Sequence, residues 1–170
     1  NLLDAVKKAY KNLTHDPTID DVYLAYKDIV KRPDSVSSIL RDIVELNIFS
    51  NDQDELKTFK EFFDSTLVLD LHSLGDDVNL KELTVAFFLQ LYYEYMLGIE
   101  KADYNDGLSL IDSFVLVDEA NELMKHEFDF LYQILAQGRE YGIGAILASK
   151  YLTHFKTRNT NYIENLQTLN

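Results

Sequence analysis

Two adjacent carboxylates that follow a short apolar run are the residues of this sequence best suited to chemistry. Residues 114–121 read FVLVDEAN, so the apolar run ends abruptly in Asp118 and Glu119. Such a run is typical of a buried strand. A carboxylate at its end can bind Mg²⁺, and a second carboxylate beside it can polarise an attacking water. Asp118 and Glu119 are therefore candidates for these two tasks, although an Asp at a strand end more often caps a helix.

The same pattern is the usual build of the Walker B element in P-loop NTPases. That element needs a glycine-rich phosphate loop, GxxxxGK followed by Ser or Thr, as its partner. The sequence has six glycines, and none of them precedes Lys-Ser or Lys-Thr. The chain thus carries the acidic half of a nucleotide site without the half that binds phosphate.

Composition limits the classes of function. With 170 residues, of which 46% are apolar, the chain suits one domain with a real core. It has no cysteine, which excludes disulfides and thiolate metal sites and fits a cytoplasmic location. The longest apolar-rich stretch, 83–97, is interrupted by Gln90 and Glu94, so we expect no membrane span. A net charge of −13 repels phosphate backbones, so the chain alone should bind nucleic acid poorly.

Hydrophobic patterns divide the chain into a helical region, 1–64, and an α/β region, 65–170. In the first, Thr18-x-x-Asp21 predicts a capping box at the start of a helix. In the second, strands alternate with helices, which implies a parallel sheet with right-handed crossovers. The predicted strands are 66–71, 114–118 and 143–149, with 166–169 as a candidate fourth, and the predicted helices are 80–97 and 121–137.

Ligands of parallel sheets bind beyond the carboxyl ends of the strands. Besides Asp118 and Glu119, those ends carry Asp70, Ser149 and Lys150. Asp70 has no acidic neighbour, so we favour a capping role for it.

Arg139 lies in the glycine-flanked turn GREYG at 138–142. A guanidinium there can bind the last carbonyls of the preceding helix. In an oligomeric NTPase it can instead reach a neighbour's nucleotide as an arginine finger. No metal site is predicted at the histidines, because none has a second ligand at metal-binding spacing: His15, His72, His126 and His154.

Residues 114–150 resemble the HerA/FtsK/VirB4 class of hexameric P-loop ATPases. They read FVLVDEANEL, then a helix, then LAQGREYGIGAILASK. By this resemblance Asp118 and Glu119 take the Walker B roles, with Asp118 holding Mg²⁺, and Arg139 takes the place of the family's motif arginine. Lys150 falls at the nucleotide-sensing position, where the family usually has Gln.

The resemblance implies a partial RecA-like (ASCE) core at 65–170, preceded by the helical region 1–64 and lacking the Walker A strand and loop. It also implies ATP and Mg²⁺ as cofactors of an intact parent protein, which would be a hexamer and would contact DNA as an assembly. More narrowly, the tail SKYLTHFKTRNTNYIENLQT resembles the HerA-like helicase of phosphorothioate-dependent DNA restriction.

Two other functions are open. A degenerate ATPase-like interaction module is favoured by the missing phosphate loop and by Lys150, and disfavoured by the intact Asp118–Glu119 pair. A small-molecule α/β enzyme could use Asp70 and Asp118, but the sequence shows no nucleophile or glycine-rich cofactor loop for it. A strand followed by a phosphate loop upstream of Asn1 in the parent would decide for the ATPase.

Overall fold

The chain is a mixed α/β protein in a computed structural model that describes residues 1–13, 15–45, 49, 57–105 and 108–166. Two units make up the chain, Asn1–Leu80 and Lys81–Asn170. The boundary predicted from the sequence lies earlier, between residues 64 and 65. Within the described ranges, no helix has both the length and the apolar character that crossing a bilayer requires.

Three amphipathic helices form the core of the first unit: α1 (Leu2–Asn12), α2 (Ile19–Ile29) and α3 (Ser35–Glu45). The predicted capping box is confirmed, because the Thr18 hydroxyl accepts from the Asp21 amide at 3.3 Å and the Asp21 carboxylate accepts from the Thr18 amide at 2.9 Å. Helix α2 packs against both others, and its apolar face is buried with theirs. The core side chains are Ala5, Ala9, Val22, Ala25, Tyr26 and Leu40.

The predicted strand at 66–71 is wrong. After the short helix α4 (Phe59–Phe63), this segment has no regular secondary structure, and Val68 is 86% exposed. The carboxylate of Asp70 accepts from the His72 amide at 2.9 Å, and its carbonyl accepts from the Ser73 hydroxyl at 2.8 Å. Asp70 thus binds residues at the start of the 3₁₀ turn His72–Leu74, but the N-cap residue of that turn is Leu71, so the capping role favoured for Asp70 is not found there.

The two helices predicted at 80–97 and 121–137 differ in detail from the observed helices. Helix α5 (Val78–Gly98) is the long helix predicted at 80–97. The spacing Asn79-x-x-Glu82 predicts a cap at Asn79, but Asp77 caps the first turn, because its carboxylate accepts from the Leu80 amide at 3.1 Å. The helix predicted at 121–137 is two helices, α6 (Ala120–Met124) and α7 (Asp129–Gln137).

The strands of the second unit form two pairs among the described residues. A short antiparallel hairpin consists of β1 (Tyr104–Asn105) and β2 (Leu108–Ser109). It lies in the segment 98–112, which its polar residues and two glycines predict to be a loop. Strands β3 (Ser113–Val117) and β4 (Ile143–Leu147) are parallel and in register from end to end. A parallel pair needs a crossover connection, and α6 and α7 provide it. The described sheet therefore has two of the three predicted parallel strands, while most of 166–169 lies outside the described residues.

One face of the β3–β4 sheet is open. Side chains alternate between faces along a strand, and the residues of one face are at least half exposed: Phe114, Leu116 and Ile146. The apolar run at 114–117 predicts a buried strand, and parallel sheets are usually buried on both faces. That prediction is wrong for this face in the described structure.

Glu127, between α6 and α7, holds the chain that follows β4. Its carboxylate accepts from the Thr157 hydroxyl at 2.6 Å, and from the backbone and side-chain amides of Asn159 at 2.9 and 2.7 Å. These hydrogen bonds lower the pKa of the Glu127 carboxyl, and the bond from Thr157 has the largest effect. The charged form of Glu127 thus stabilises the fold of the tail.

Replacement Glu127→Gln should reduce the stability of the chain near neutral pH and have less effect in acid. Because the folded-state pKa lies below the unfolded value of about 4.3, the stabilisation is fully present above that value. It is lost as the pH falls through the folded-state pKa. The difference in Tm between wild type and variant, measured by thermal unfolding, should therefore narrow from pH 6 to pH 3, as a rough working range.

The matched control is Glu100→Gln, at an exposed glutamate for which the described structure shows no partner. It should leave Tm almost unchanged at each pH. A constant difference in Tm between wild type and Glu127→Gln across the pH range would contradict the role of the charged carboxylate.

Candidate active site

The Asp118–Glu119 pair lies at the carboxyl end of β3, and both residues are exposed. Backbone hydrogen bonds continue past the pair. The Ala148 amide donates to the Val117 carbonyl at 2.9 Å, and the Ala120 amide donates to the Ala148 carbonyl at 2.8 Å. The backbone is thus anchored to β4 on both sides of the two carboxylates, which gives them a rigid support.

Glu119 has a left-handed backbone conformation, with φ 48° and ψ 44°. Among the described residues it is the one non-glycine residue with positive φ. Its amide donates to the Asp118 carboxylate at 2.9 Å, which helps to hold this conformation. A side chain in this region costs about 1–3 kcal/mol, and such residues cluster at functional sites. Glycine would fit here without that cost, so Glu119 is a candidate functional residue.

The pair has the chemistry of a Mg²⁺ site that is completed by a phosphate ligand. Mg²⁺ is usually bound by one or two carboxylates together with substrate phosphates and water. One oxygen of Asp118 accepts from the Glu119 amide, and the other has no protein partner in the described structure. Nowhere in that part of the chain do three or more His, Asp or Glu side chains gather as metal ligands. The residues present therefore fit a shared Mg²⁺ and not an all-protein cage.

Ser149 and Lys150 follow β4 and lie at the same edge of the sheet as the carboxylates, because β3 and β4 are parallel. Lys150 is exposed, and no described carboxylate pairs with it. The Ser149 hydroxyl and His154 Nδ1 share a hydrogen bond of 2.8 Å. By sequence spacing alone, His154 is an isolated histidine. Its pairing results from the 3₁₀ turn Leu152–Phe155, for which the local sequence carries no signal.

Arg139 lies at the other end of β4 from Lys150. It belongs to the 3₁₀ turn Gly138–Tyr141, which precedes the strand, and it is exposed. Because a strand rises about 3.3 Å per residue, the five residues of β4 separate its two ends by roughly 16 Å. No described side chain pairs with its guanidinium. The structure therefore does not bring Arg139 to the Asp118–Glu119 pair of its own chain.

The GREYG turn has a structural reason for its final glycine. Gly142 has φ 69°, and a Cβ there would lie 3.1 Å from the Leu110 carbonyl oxygen and 3.0 Å from the Asp112 carboxylate. The Gly142 carbonyl accepts from the Asp112 amide at 2.8 Å. This part of the motif thus serves the fold, whatever the role of Arg139.

No family model and no curated protein sequence matches this chain. The likeness to HerA/FtsK/VirB4 ATPases therefore depends on the sequence motifs, of which those in residues 114–150 are the specific ones. What the geometry adds is an exposed carboxylate pair on a rigid strand end, with a strained Glu119 and a hydroxyl–imidazole pair at the same edge. Such an arrangement can orient a water next to a metal-bound phosphate.

Proposed function

We propose that this chain is the C-terminal part of a RecA-like ATPase core from a DNA translocase or helicase of the HerA/FtsK/VirB4 type. The observation that carries the proposal is the left-handed conformation of Glu119, directly after Asp118 at the carboxyl end of β3. Hydrogen bonds to β4 hold the backbone on both sides of it. A strained carboxylate on so firm a support suits a catalytic group better than a helix cap, and Glu119 makes no side-chain cap bond.

In this proposal the two carboxylates have different tasks. Asp118 would hold Mg²⁺ through the oxygen that the Glu119 amide leaves free. When bound, the ion would neutralise charge on the phosphates of ATP. Glu119 orients a water molecule and accepts its proton while the water oxygen attacks the terminal phosphorus. The bond between that phosphorus and the bridging oxygen breaks, and ADP leaves. Aligning this water is the step for which the chain's own geometry is best suited.

The other contacts to ATP and DNA belong to the rest of the parent protein. No GxxxxGK followed by Ser or Thr is present in the sequence, so the phosphate loop must come from outside these 170 residues. DNA contact also belongs to the assembly, because the net charge of −13 opposes the counterion release that drives such binding. The proposal includes a cytoplasmic location for the parent, where ATP and DNA are both present.

Arg139 acts, in this proposal, on the nucleotide of a neighbouring subunit in a hexamer. It lies at the end of β4 opposite to the carboxylates of its own chain, and its guanidinium is exposed without a described partner. An arginine finger supplied by a neighbour stabilises charge on the transferring phosphoryl group. The position of Arg139 therefore favours a role in trans over a role in cis.

Mixing two inactive parent proteins tests this arrangement. Arg139→Ala and Glu119→Gln subunits should each form rings with little ATP hydrolysis. In randomly mixed rings, about a quarter of the interfaces should combine an intact Glu119 with an intact Arg139, because ring interfaces are heterologous. Turnover should then exceed that of either variant alone. The control is Arg158→Ala at an exposed arginine of the tail, which should hydrolyse ATP almost as well as wild type.

The trans role is contradicted if turnover does not recover in rings that are shown to mix. Rings of wild-type and doubly substituted subunits must first be shown to tolerate inactive neighbours. Without recovery, Arg139 is better explained as a structural residue of the GREYG turn.

The open face of the β3–β4 sheet favours a second function, a degenerate ATPase-like module that serves assembly without hydrolysis. Phe114, Leu116 and Ile146 present an apolar surface there, of the kind that marks interaction sites. If hydrolysis by the parent is absent, or is indifferent to Glu119→Gln, this second function is the better account.

A further inference from the structure

The hydrogen bond between Ser149 and His154 lies at the edge of the sheet that also carries the proposed catalytic glutamate. The Ala120 amide bonds the Ala148 carbonyl at 2.8 Å, and Glu119 and Ser149 are the chain neighbours of those two residues. Consecutive Cα atoms are about 3.8 Å apart. Ser149 is therefore the next residue along the chain from a backbone hydrogen bond that joins the chain after β3 to the chain after β4.

The turn that carries His154 is firmly held. The 3₁₀ turn Leu152–Phe155 packs against α6, the helix that starts directly after Glu119, and Phe155 is buried. The Tyr151 ring meets the His154 ring edge-on, with centroids 5.3 Å apart. The pKa of Glu122, on α6, is lowered chiefly by its hydrogen bond from Lys125, and His154 adds a smaller effect. The imidazole thus lies near α6 in a defined orientation.

We propose that Ser149 and His154 form a positioning pair for the proposed hydrolysis, in which the imidazole fixes the Ser149 hydroxyl and the hydroxyl aligns the terminal phosphate or the attacking water beside Glu119. This inference rests on the proposed function. It gives Ser149 the alignment task that the sequence resemblance would assign to Lys150.

Physical differences between the two side chains favour Ser149. Lys150 is long, exposed and unpaired with any described carboxylate, so fixing it on a ligand would cost more side-chain entropy than fixing a serine does. Rotation about one bond, Cα–Cβ, sets the position of the Ser149 hydroxyl oxygen, and the hydrogen bond with His154 already restrains that rotation. A hydroxyl that is held before the ligand binds can position a reacting group at lower entropic cost.

A purely structural pair would tie the tail to β4 and affect folding alone. A positioning pair must also affect turnover while leaving ATP affinity intact. In the intact parent, Ser149→Ala should lower kcat about tenfold with little change in KM for ATP. Ser149→Thr, which keeps the hydroxyl, should retain most of the activity. Lys150→Ala should have a smaller effect on kcat than Ser149→Ala.

Two variants of His154 distinguish the packing of its ring from the hydrogen bond made by Nδ1. His154→Phe keeps an aromatic ring for packing against Tyr151 and loses Nδ1, so it should lower kcat about as much as Ser149→Ala. His154→Asn keeps a hydrogen-bonding group near the position of Nδ1 and should restore part of the activity. The double variant Ser149→Ala/His154→Phe should be no slower than either single variant, because residues acting as one unit are not additive.

The ring nitrogens of His154 give a readout that does not depend on turnover. When the imidazole is neutral, a hydroxyl that donates to Nδ1 favours the tautomer protonated at Nε2. In ¹⁵N spectra of the 170-residue chain, Ser149→Ala should therefore shift the tautomer balance of His154. The chemical shifts of the backbone amides elsewhere in the chain should not change, which checks that the fold is intact.

Any of three results would contradict the proposed positioning role of Ser149 and His154. An unchanged His154 tautomer in Ser149→Ala shows that the hydrogen bond does not form. Hydrolysis that requires Glu119 but is unaffected by Ser149→Ala refutes this role and leaves the proposed function standing. Hydrolysis that is indifferent to Glu119→Gln refutes the proposed function and this role with it.

Discussion

ATP hydrolysis by the intact parent should fall at least about 100-fold on Glu119→Gln, while ATP binding is retained. The replacement keeps the size of the side chain and removes the charge that polarises the attacking water, and such groups contribute about 10²–10⁴-fold. Steady-state turnover measures the first effect, and titration with a fluorescent ATP analogue measures the second. Glu122→Gln, at another exposed carboxylate of the same region, is the matched control and should keep most of the activity.

Glu119→Gly gives the same prediction a second test. Glycine adopts the left-handed conformation without steric cost, so the chain should be as stable as wild type or more stable by up to about 1 kcal/mol. Hydrolysis by the parent should nevertheless be lost. A parent that hydrolyses ATP normally with Gln or Gly at this position would exclude Glu119 as the catalytic carboxylate. A marked loss of stability in Glu119→Gly would show that the side chain has a structural role instead.

Tyr162→Ala should lower the free energy of unfolding by about 3–5 kcal/mol, as truncation of a buried aromatic does. Tyr162 is 0% exposed, and its ring meets the Tyr132 ring edge-on at 6.2 Å. Its hydroxyl oxygen accepts from the Phe128 amide at 3.2 Å. The substitution removes both the packing and the hydrogen bond that hold the tail against the start of α7. Urea unfolding followed by circular dichroism measures the change.

Two other tyrosine variants calibrate this result. Tyr162→Phe keeps the ring and leaves the Phe128 amide without its partner, which should cost about 1–3 kcal/mol. Tyr10→Ala, at a tyrosine that is 58% exposed on α1, should change stability by less than about 0.5 kcal/mol. If Tyr162→Ala is no more harmful than Tyr10→Ala, the tail does not pack on α7 in solution.

Part of the candidate active site could be predicted from the sequence. The carboxylates Asp118 and Glu119, the strand before them and the strand before Lys150 could all be predicted, because each follows from a contiguous run of residue types. The left-handed Glu119 could not, since glutamate has no preference for that conformation. The pairing of Ser149 with His154 depends on a 3₁₀ turn held by the buried Phe155, which the local sequence does not specify.

Arg139 belongs with the predictable features. Its turn was predictable from the two glycines of GREYG. Its separation from the carboxylates follows from the parallel pairing of β3 and β4, which the alternation of strands and helices predicts.

The sequence by itself determined the features that depend on neighbours three or four residues apart. The capping box of Thr18 and Asp21 and the long helix α5 are such features, because their hydrogen bonds close within one turn. Only the tertiary structure decided features that need a distant partner. The run at 66–71 has the composition of a strand but no described neighbour to supply ladder bonds. The helix predicted at 121–137 is interrupted near Glu127 and Phe128, since both bond to the tail more than 25 residues away along the chain. A hydrogen bond that closes over so long a loop depends on the whole fold, and no local pattern encodes it.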